Sequence, residues 1–472
     1  MNMWRKTIGD QRGIAAPLAM YTLVLLSVLM LAFVSMAAHE PQVSRNLVDL
    51  TQARYAADAG VEWAFDTLVA TPNWSTVLQA AGGNCVSTPM VSNQTLPGLT
   101  AAFGTYTVVV RNDTCNGDTA ITGYRDPITG GPALDVAPGS ATVDNNSILI
   151  LTSTGTVNGV TRQIQVVAHR SKLNRGFPGA VSEPGLQADT FNSTTNFQFD
   201  GRDYNRDGTF GPGNGLTNLR YGIATQPGVQ ANIAPTTYEA NAESAFNTAA
   251  KRANVIGLQD PIHALVDPPG PPGTRTGRDA IAASTDLTPT NMNAFLNAVA
   301  AFPTTNIIQS TMACPMVMTS SGTANLPTLT NGCGVNKPIN LGTTSAPTLT
   351  YFRGELDTSS MFTGLRLQGG ATIQGAGILV VEDGDLSVNV NNLRWDGIIM
   401  VVGRYVGSGF RAGSNTTIYG AFVSMETIGN EAPGFYEFLN QSGSLTIRYS
   451  KQNIDMAWGM RALHRISSWK EL

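Results

Sequence analysis

Charge is what this 472-residue chain has least of: charged side chains make up 13% of it, against about 25% in an average soluble domain. Lysine is scarce and the formal net charge is −4. No basic patch with interleaved aromatics occurs, so the electrostatic footprint of a nucleic-acid-binding protein is missing. There is no HExxH, GxSxG or GxxxxGK stretch, hence no zinc-hydrolase helix, nucleophile elbow or phosphate cradle. The four histidines, His39, His169, His263 and His464, are isolated, and His169, closing a predicted strand, reads as structural. Cysteine is confined to Cys85, Cys115, Cys314 and Cys333, two local pairs 30 and 19 residues apart. None has CxxC spacing, which argues against zinc. In an exported chain they pair as two local disulfides, each closing a loop worth about 3 kcal/mol; otherwise they are four buried thiols.

Gly, Thr, Asn and Ala fill the place of charge, a balance that suits extended β structure with many tight corners. The N-terminus differs. Ile14 to Ala38 carries no charge over 25 residues, about 37 Å as a helix and enough to span a bilayer. A secretory signal has a shorter apolar core. Arg5, Lys6 and Arg12 precede the run, which places the N-terminus in the cytoplasm and the rest of the chain outside. Beyond Pro41, Leu47, Leu50, Ala57, Val61, Ala64 and Leu68 recur at helical spacing, so the helix is predicted to continue to about residue 70 with a kink near Pro41. Arg45, Asp49, Arg54, Asp58, Glu62 and Asp66 take its other faces.

The basic leader ending in Gly13, the apolar helix and the stretch ARYAADAGVEWA together resemble the PilX-type minor pilins of type IV pili. The resemblance covers about 60 residues. It implies that a prepilin peptidase cuts between Gly13 and Ile14. It also implies docking through the N-terminal helix with other minor pilins and the major pilin, after a stage in the inner membrane. Most pilins carry Glu five residues into the mature chain, where it pairs with the amine of the subunit ahead; here that position is Leu18. A buried carboxylate costs several kcal/mol unless paired, and a subunit at the tip has nothing ahead of it. Leu18 therefore fits a tip subunit. The alternative is an exported binding module that stays anchored and is never cleaved.

Residues 71–172 read as a small antiparallel β head, with strands in 103–112, 147–157 and 160–170 and a hairpin at Asn158-Gly159. This sheet is predicted to pack on the outer stripe of the helix, which is also the pilin head plan. Residues 173–300 are mixed, with a helix over Thr237–Ile256, a Pro/Gly loop at 267–279 and a helix from Thr288-Pro289 to Ala300. In 301–450, GAGILVVEDGDL, WDGIIMVVGRYV and IYGAFVSMETI repeat one pattern around Gly377, Gly397 and Gly420, 20 and 23 residues apart. That period points to a parallel β-solenoid, a β-sandwich being the alternative, with residues 451–472 as a capping tail.

The sharpest chemical motif is DGRDYNRDGTFGPG, in which Asp203, Asn205 and Asp207 alternate before Gly208. This matches the start of a calcium loop, with the Thr209 carbonyl as next ligand and Asp200 as an added carboxylate. Asn214 stands where the closing acid belongs, so the loop is not an EF-hand, and an Asx-rich turn reads the same residues equally well. Asp383, Asp385 and Asp396 invite a carbohydrate-cleaving pair, but turn chemistry accounts for Asp383 and Asp385. The sequence as a whole reads as a non-catalytic α+β subunit: leader 1–13, membrane and spine helix 14–70, β head, mixed region, solenoid and tail. Its expected place is the pilus tip, in assembly and surface adhesion or holding an adhesin. Calcium is its one expected cofactor.

Overall fold

The computed structural model describes residues 15–71, 73–78, 85–115, 118, 121, 135, 141–144, 146–171, 173, 176–186, 188–227, 236–262, 264–300, 306–320, 323–355, 363–404, 406–411, 415–427, 436–441 and 443–472. The Gly13–Ile14 bond and His263 lie outside them. The protein is α+β. The first described element is one helix, Ala15–Ala70, that continues through Pro41 and is about 84 Å long at 1.5 Å per residue. From Ala53 onward, Ala53, Ala57, Val61, Ala64 and Leu68 are fully buried, the outer stripe that the periodicity predicts. Leu47 stays exposed because no sheet reaches it. Asp49 is buried instead of solvated, since the hairpin tip folds over it and the Asn158 amide donates to its carboxylate at 3.0 Å.

That helix lies on a five-stranded antiparallel sheet in the order Thr88–Thr95, Thr105–Asn112, Ile148–Val157, Val160–Arg170, His464–Glu471. Asn158 and Gly159 both have positive φ, the requirement of the tight hairpin turn their sequence predicts. Tyr106, Val108, Val110, Leu149, Leu151, Ile164 and Val166 alternate onto the helix side and share one core with it. The last strand comes from the C-terminus, and this corrects the tail. Residues 451–472 do not cap the far stack. The helix Lys451–Trp458 buries Ile454, Ala457 and Trp458 against the side of the large β region. The chain then returns to the head, where His464 pairs with Arg170 in antiparallel register. Residues 171–463 are thus one long insertion between two neighbouring strands, and the Ser171 amide donates to the Leu463 carbonyl at its neck.

Within the insertion most ladders are parallel, unlike the antiparallel pairing of a β-sandwich; antiparallel pairing is confined to short strands such as Val255–Gly257 with Arg275–Thr276 and Thr328–Thr330 with its two neighbours. Thr348–Arg353, Leu365–Glu382, Leu386–Gly403 and Asn415–Glu426 stack in register. Gly377, Gly397 and Gly420 lie directly over one another. The mixed region joins the same ladders. Gly179–Glu183 pairs with Asn415–Glu426 and with Tyr221–Thr225, and Ile281–Ala283 follows. The expected helix over Thr237–Ile256 is divided. Thr237–Ser244 is closed at its start by a Thr236/Glu239 capping box, Ala249–Arg252 forms a second turn, and Val255–Gly257 is a strand. Burial of Val255 beside Phe199 and Phe246 outweighs helix continuation there. Pro289–Ala300 is helical as predicted and buries Met292, Phe295, Leu296 and Val299. The insertion has its own core, separate from that of the head.

Candidate functional site

Among the described residues, the first half of the long helix packs against no other element. Its best 18-residue window has a mean hydropathy of 2.3 and none of it is buried. It is long and apolar enough to cross a membrane. Leu18, Leu23, Leu26, Leu31 and Phe33 point into open space on several faces, and a helix apolar all round needs lipid or protein around it. Two of its hydroxyls bond back onto the helix: Thr22 Oγ1 donates to the Leu18 and Ala19 carbonyls and Ser27 Oγ to the Leu23 carbonyl at 2.7 Å. Hydrocarbon therefore meets no free donor on Thr22 or Ser27. Leu18, 63% exposed, leaves this part of the surface without a carboxylate.

Farther along, at ARYAADAGVEWA, helix and sheet approach each other closely. A side chain on Gly155 would lie 1.9 Å from the Ala53 carbonyl oxygen, and one on Gly60 would run into Ser153 and Tyr106. The small residues of the motif are small because two backbones nearly touch there.

The Asx-rich loop proves to be a clamp. Asp200 is fully buried in an ion pair with Arg202 (2.6 Å) and accepts the Tyr204 hydroxyl at 2.8 Å. Asp203 accepts the Lys451 amide (2.9 Å) through one oxygen and Asn218 Nδ2 (2.8 Å) through the other, so it holds the first turn of the helix that leads back to the head. Asn205 donates to Thr209 Oγ1 and the Phe210 carbonyl. The exposed Asp207 accepts the Thr209 amide and hydroxyl, which hold its carboxyl below the usual range. Arg206 Nε reaches Asn453, and Arg394 donates to the Arg206 carbonyl. Among the described residues no three His, Cys, Asp or Glu side chains are placed to share a metal. Calcium would have to displace these donors. Titrating millimolar calcium is expected to leave the melting temperature unchanged; a rise of several degrees would mean that the loop rearranges around the ion. Lys451, Asn453 and Asn218 escaped the sequence reading, because nothing near residue 203 marks partners up to 250 positions away.

Cys85 pairs with Cys115 and Cys314 with Cys333, at Cα separations of 5.4 and 5.8 Å. The first staples the edge strand Thr88–Thr95 to its neighbour, and the second anchors the hairpin of Thr328–Thr330 and Asn336–Pro338. Asp383 Oδ1 accepts the Arg404 amide and Asp385 Oδ1 the Gly407 amide, while Asp396 pairs with Arg394. All three serve turns and ion pairs.

His169 is buried and accepts Arg465 Nε at 3.1 Å. Burial, with the Arg465 and His464 charges, pushes it down to about 3. The unfolded chain therefore binds a proton near pH 6.5 that the folded chain refuses, so His169 costs stability as pH falls from 6.5 toward 3, by about 1.4 kcal/mol per unit. The stability difference between wild type and His169→Gln, followed by denaturant titration, is expected to shift against wild type over that window and to stay constant above pH 7.

No protein-family model matches the chain, and no curated protein sequence matches it. Among solved structures, the competence-associated pilin ComZ from Thermus thermophilus is similar at 13% identity, covering 90% of this chain and 97% of that chain, with a TM-score of 0.23. So low a score carries no argument, and the functional reading rests on the chain's own geometry.

Proposed function

We propose that this chain is a non-catalytic minor pilin or pilin-like subunit of PilX type, seated at the tip of a type IV pilus and acting in pilus assembly and surface adhesion. One observation carries the reading. A single helix is apolar and unpacked over its first half, while its second half is bedded on an antiparallel sheet. A plain anchor does not need the bedded extension; a spine that packs among copies of itself and carries a head does. The helix partitions into the inner membrane, docks with the helices of other minor pilins and the major pilin by van der Waals packing, and leaves the membrane with them. The parallel ladders of the insertion form a β-solenoid, displayed by the head to a surface or to an adhesin. A subunit of this bulk suits a tip, and Leu18 suits a position with no amine ahead to pair with.

Edman sequencing and intact mass of the protein from membranes and from sheared fibres test this reading. A chain beginning at Ile14 in the sheared fraction is expected. An intact Met1 confined to membranes would overturn it and leave an anchored binding module. In a chain that is processed, Leu18→Glu is expected to lower its yield in sheared fibres, because the new carboxylate finds no partner.

A further inference from the structure

The parallel stack is threaded from its middle. The chain enters at Gly179–Glu183 and runs outward through Tyr221–Thr225 to Ile281–Ala283. It crosses by the helix Pro289–Ala300 and restarts at the opposite end with Ile307–Gln309. It then returns through Thr348–Arg353, Leu365–Glu382 and Leu386–Gly403 to Asn415–Glu426, which pairs with Gly179–Glu183. Two half-stacks, 179–283 and 307–449, therefore meet at a non-covalent seam. Among the described residues it has three short ladders: Phe422 and Val423 on Val181 and Ser182, Phe438–Asn440 on Thr190–Asn192, and Leu445–Arg448 on Phe197–Asp200.

Joining two such edges poses a register problem. A slip of two residues keeps every side chain on its own face, and apolar columns tolerate it. One inward column reads Met318, Leu367, Val388, Phe410, Asn440, Asn192. It is apolar on every rung until the seam, and there both partners are asparagine. Asn440 and Asn192 are 0% and 3% exposed, and Asn440 Nδ2 donates to Asn192 Oδ1 at 3.0 Å. Asn192 Nδ2 is held in turn by the Thr194 carbonyl. A two-residue slip would bury both amides without each other, the arrangement a polar pair in an apolar core penalises most.

We propose that the stack is completed by the docking of two half-stacks and that the Asn192–Asn440 pair is the key that sets their register. Zero-length oxidative cross-linking of the full chain in detergent tests it. Phe191 and Leu439 are register partners beside the key, on the outer side. Cysteines placed by Phe191→Cys and Leu439→Cys are expected to cross-link in high yield, and by Ser193→Cys and Leu439→Cys hardly at all. In an Asn192→Val/Asn440→Val background the second pair is expected to gain at least tenfold at the expense of the first, while the circular dichroism spectrum keeps its β signal. Unchanged cross-linking in that background would overturn the assignment. So would loss of the β signal in the double variant but not in Asn440→Val alone, because a register key is dispensable for stability when both halves are removed together. For the docking itself, cleavage at a protease site inserted at Ser284–Asp286 is expected to leave the Phe191→Cys/Leu439→Cys cross-link yield unchanged; loss of that cross-link after cleavage would show that the stack depends on the crossing.

Discussion

Gly397→Ala is expected to unfold the parallel stack at temperatures where the wild type is intact. Gly397 adopts φ +140°, and a β carbon there would sit 2.1 Å from the carbonyl oxygen of Gly377 on the rung below. Gly377 itself faces the Thr348 carbonyl in the same way, and Gly420 faces that of Gly397. The chain turns a corner at these positions, and the missing side chain would point along the stack axis, where the next backbone lies. Neither partner can yield, because each is a main-chain carbonyl inside a ladder. Backbone strain at positive φ adds about 1–2 kcal/mol to the clash, and a total loss above about 4 kcal/mol belongs to such sites. Gly409→Ala is the matched control: its β carbon would meet nothing closer than 3.9 Å, and a change within about 1 kcal/mol is expected. Scanning calorimetry of the full chain in detergent should show a lowered or lost stack transition for Gly397→Ala only. Equal melting of the two variants would refute the corner geometry.

Gly155→Ala is expected to damage the other unit. Its β carbon would lie 1.9 Å from the Ala53 carbonyl oxygen and 2.5 Å from the Ala57 amide nitrogen, so the helix must lift from the strand Ile148–Val157. Lifting opens the core of Ala57, Val61, Ala64, Leu149 and Leu151. Overpacking of this kind costs about 1–3 kcal/mol when side chains can adjust, and more is expected here because backbone meets backbone. The two cores are separate, so the head transition should fall while the stack transition stays within a degree or two. A uniform shift of both transitions would mean that head and stack unfold as one unit.

Much of the scaffold is legible from local pattern. The stripe Ala57, Val61, Ala64, Leu68 follows from helical period, the turn at Asn158-Gly159 from its need for positive φ, and the repeat around Gly377, Gly397 and Gly420 from its own rhythm. The cysteine pairs are close in sequence, and they join as that closeness predicts. In each case the cause acts over a few residues or a few tens of residues, so the chain carries it in readable form.

The loop at 200–209 shows where this stops. Alternating oxygens before a glycine describe both a cation cradle and a turn, and the choice lies with groups that the loop cannot name: the Lys451 amide and Asn218 for Asp203, Arg202 and Tyr204 for Asp200. The same limit hides the seam, where Val181 meets Phe422 and Asn192 meets Asn440. It hides the tail too, whose last strand finds the edge beside Val160–Arg170 almost 300 residues upstream. By itself the sequence determined the apolar spine, the hairpin, the disulfide partners and the glycine corners, because periodicity, backbone sterics and short loops are local physics. Only the tertiary structure decided which strand edges join, which carboxylates are already satisfied and where the chain's end returns. Backbone hydrogen bonds between distant edges are chemically alike whichever strands make them, and the choice is made by packing across the whole molecule.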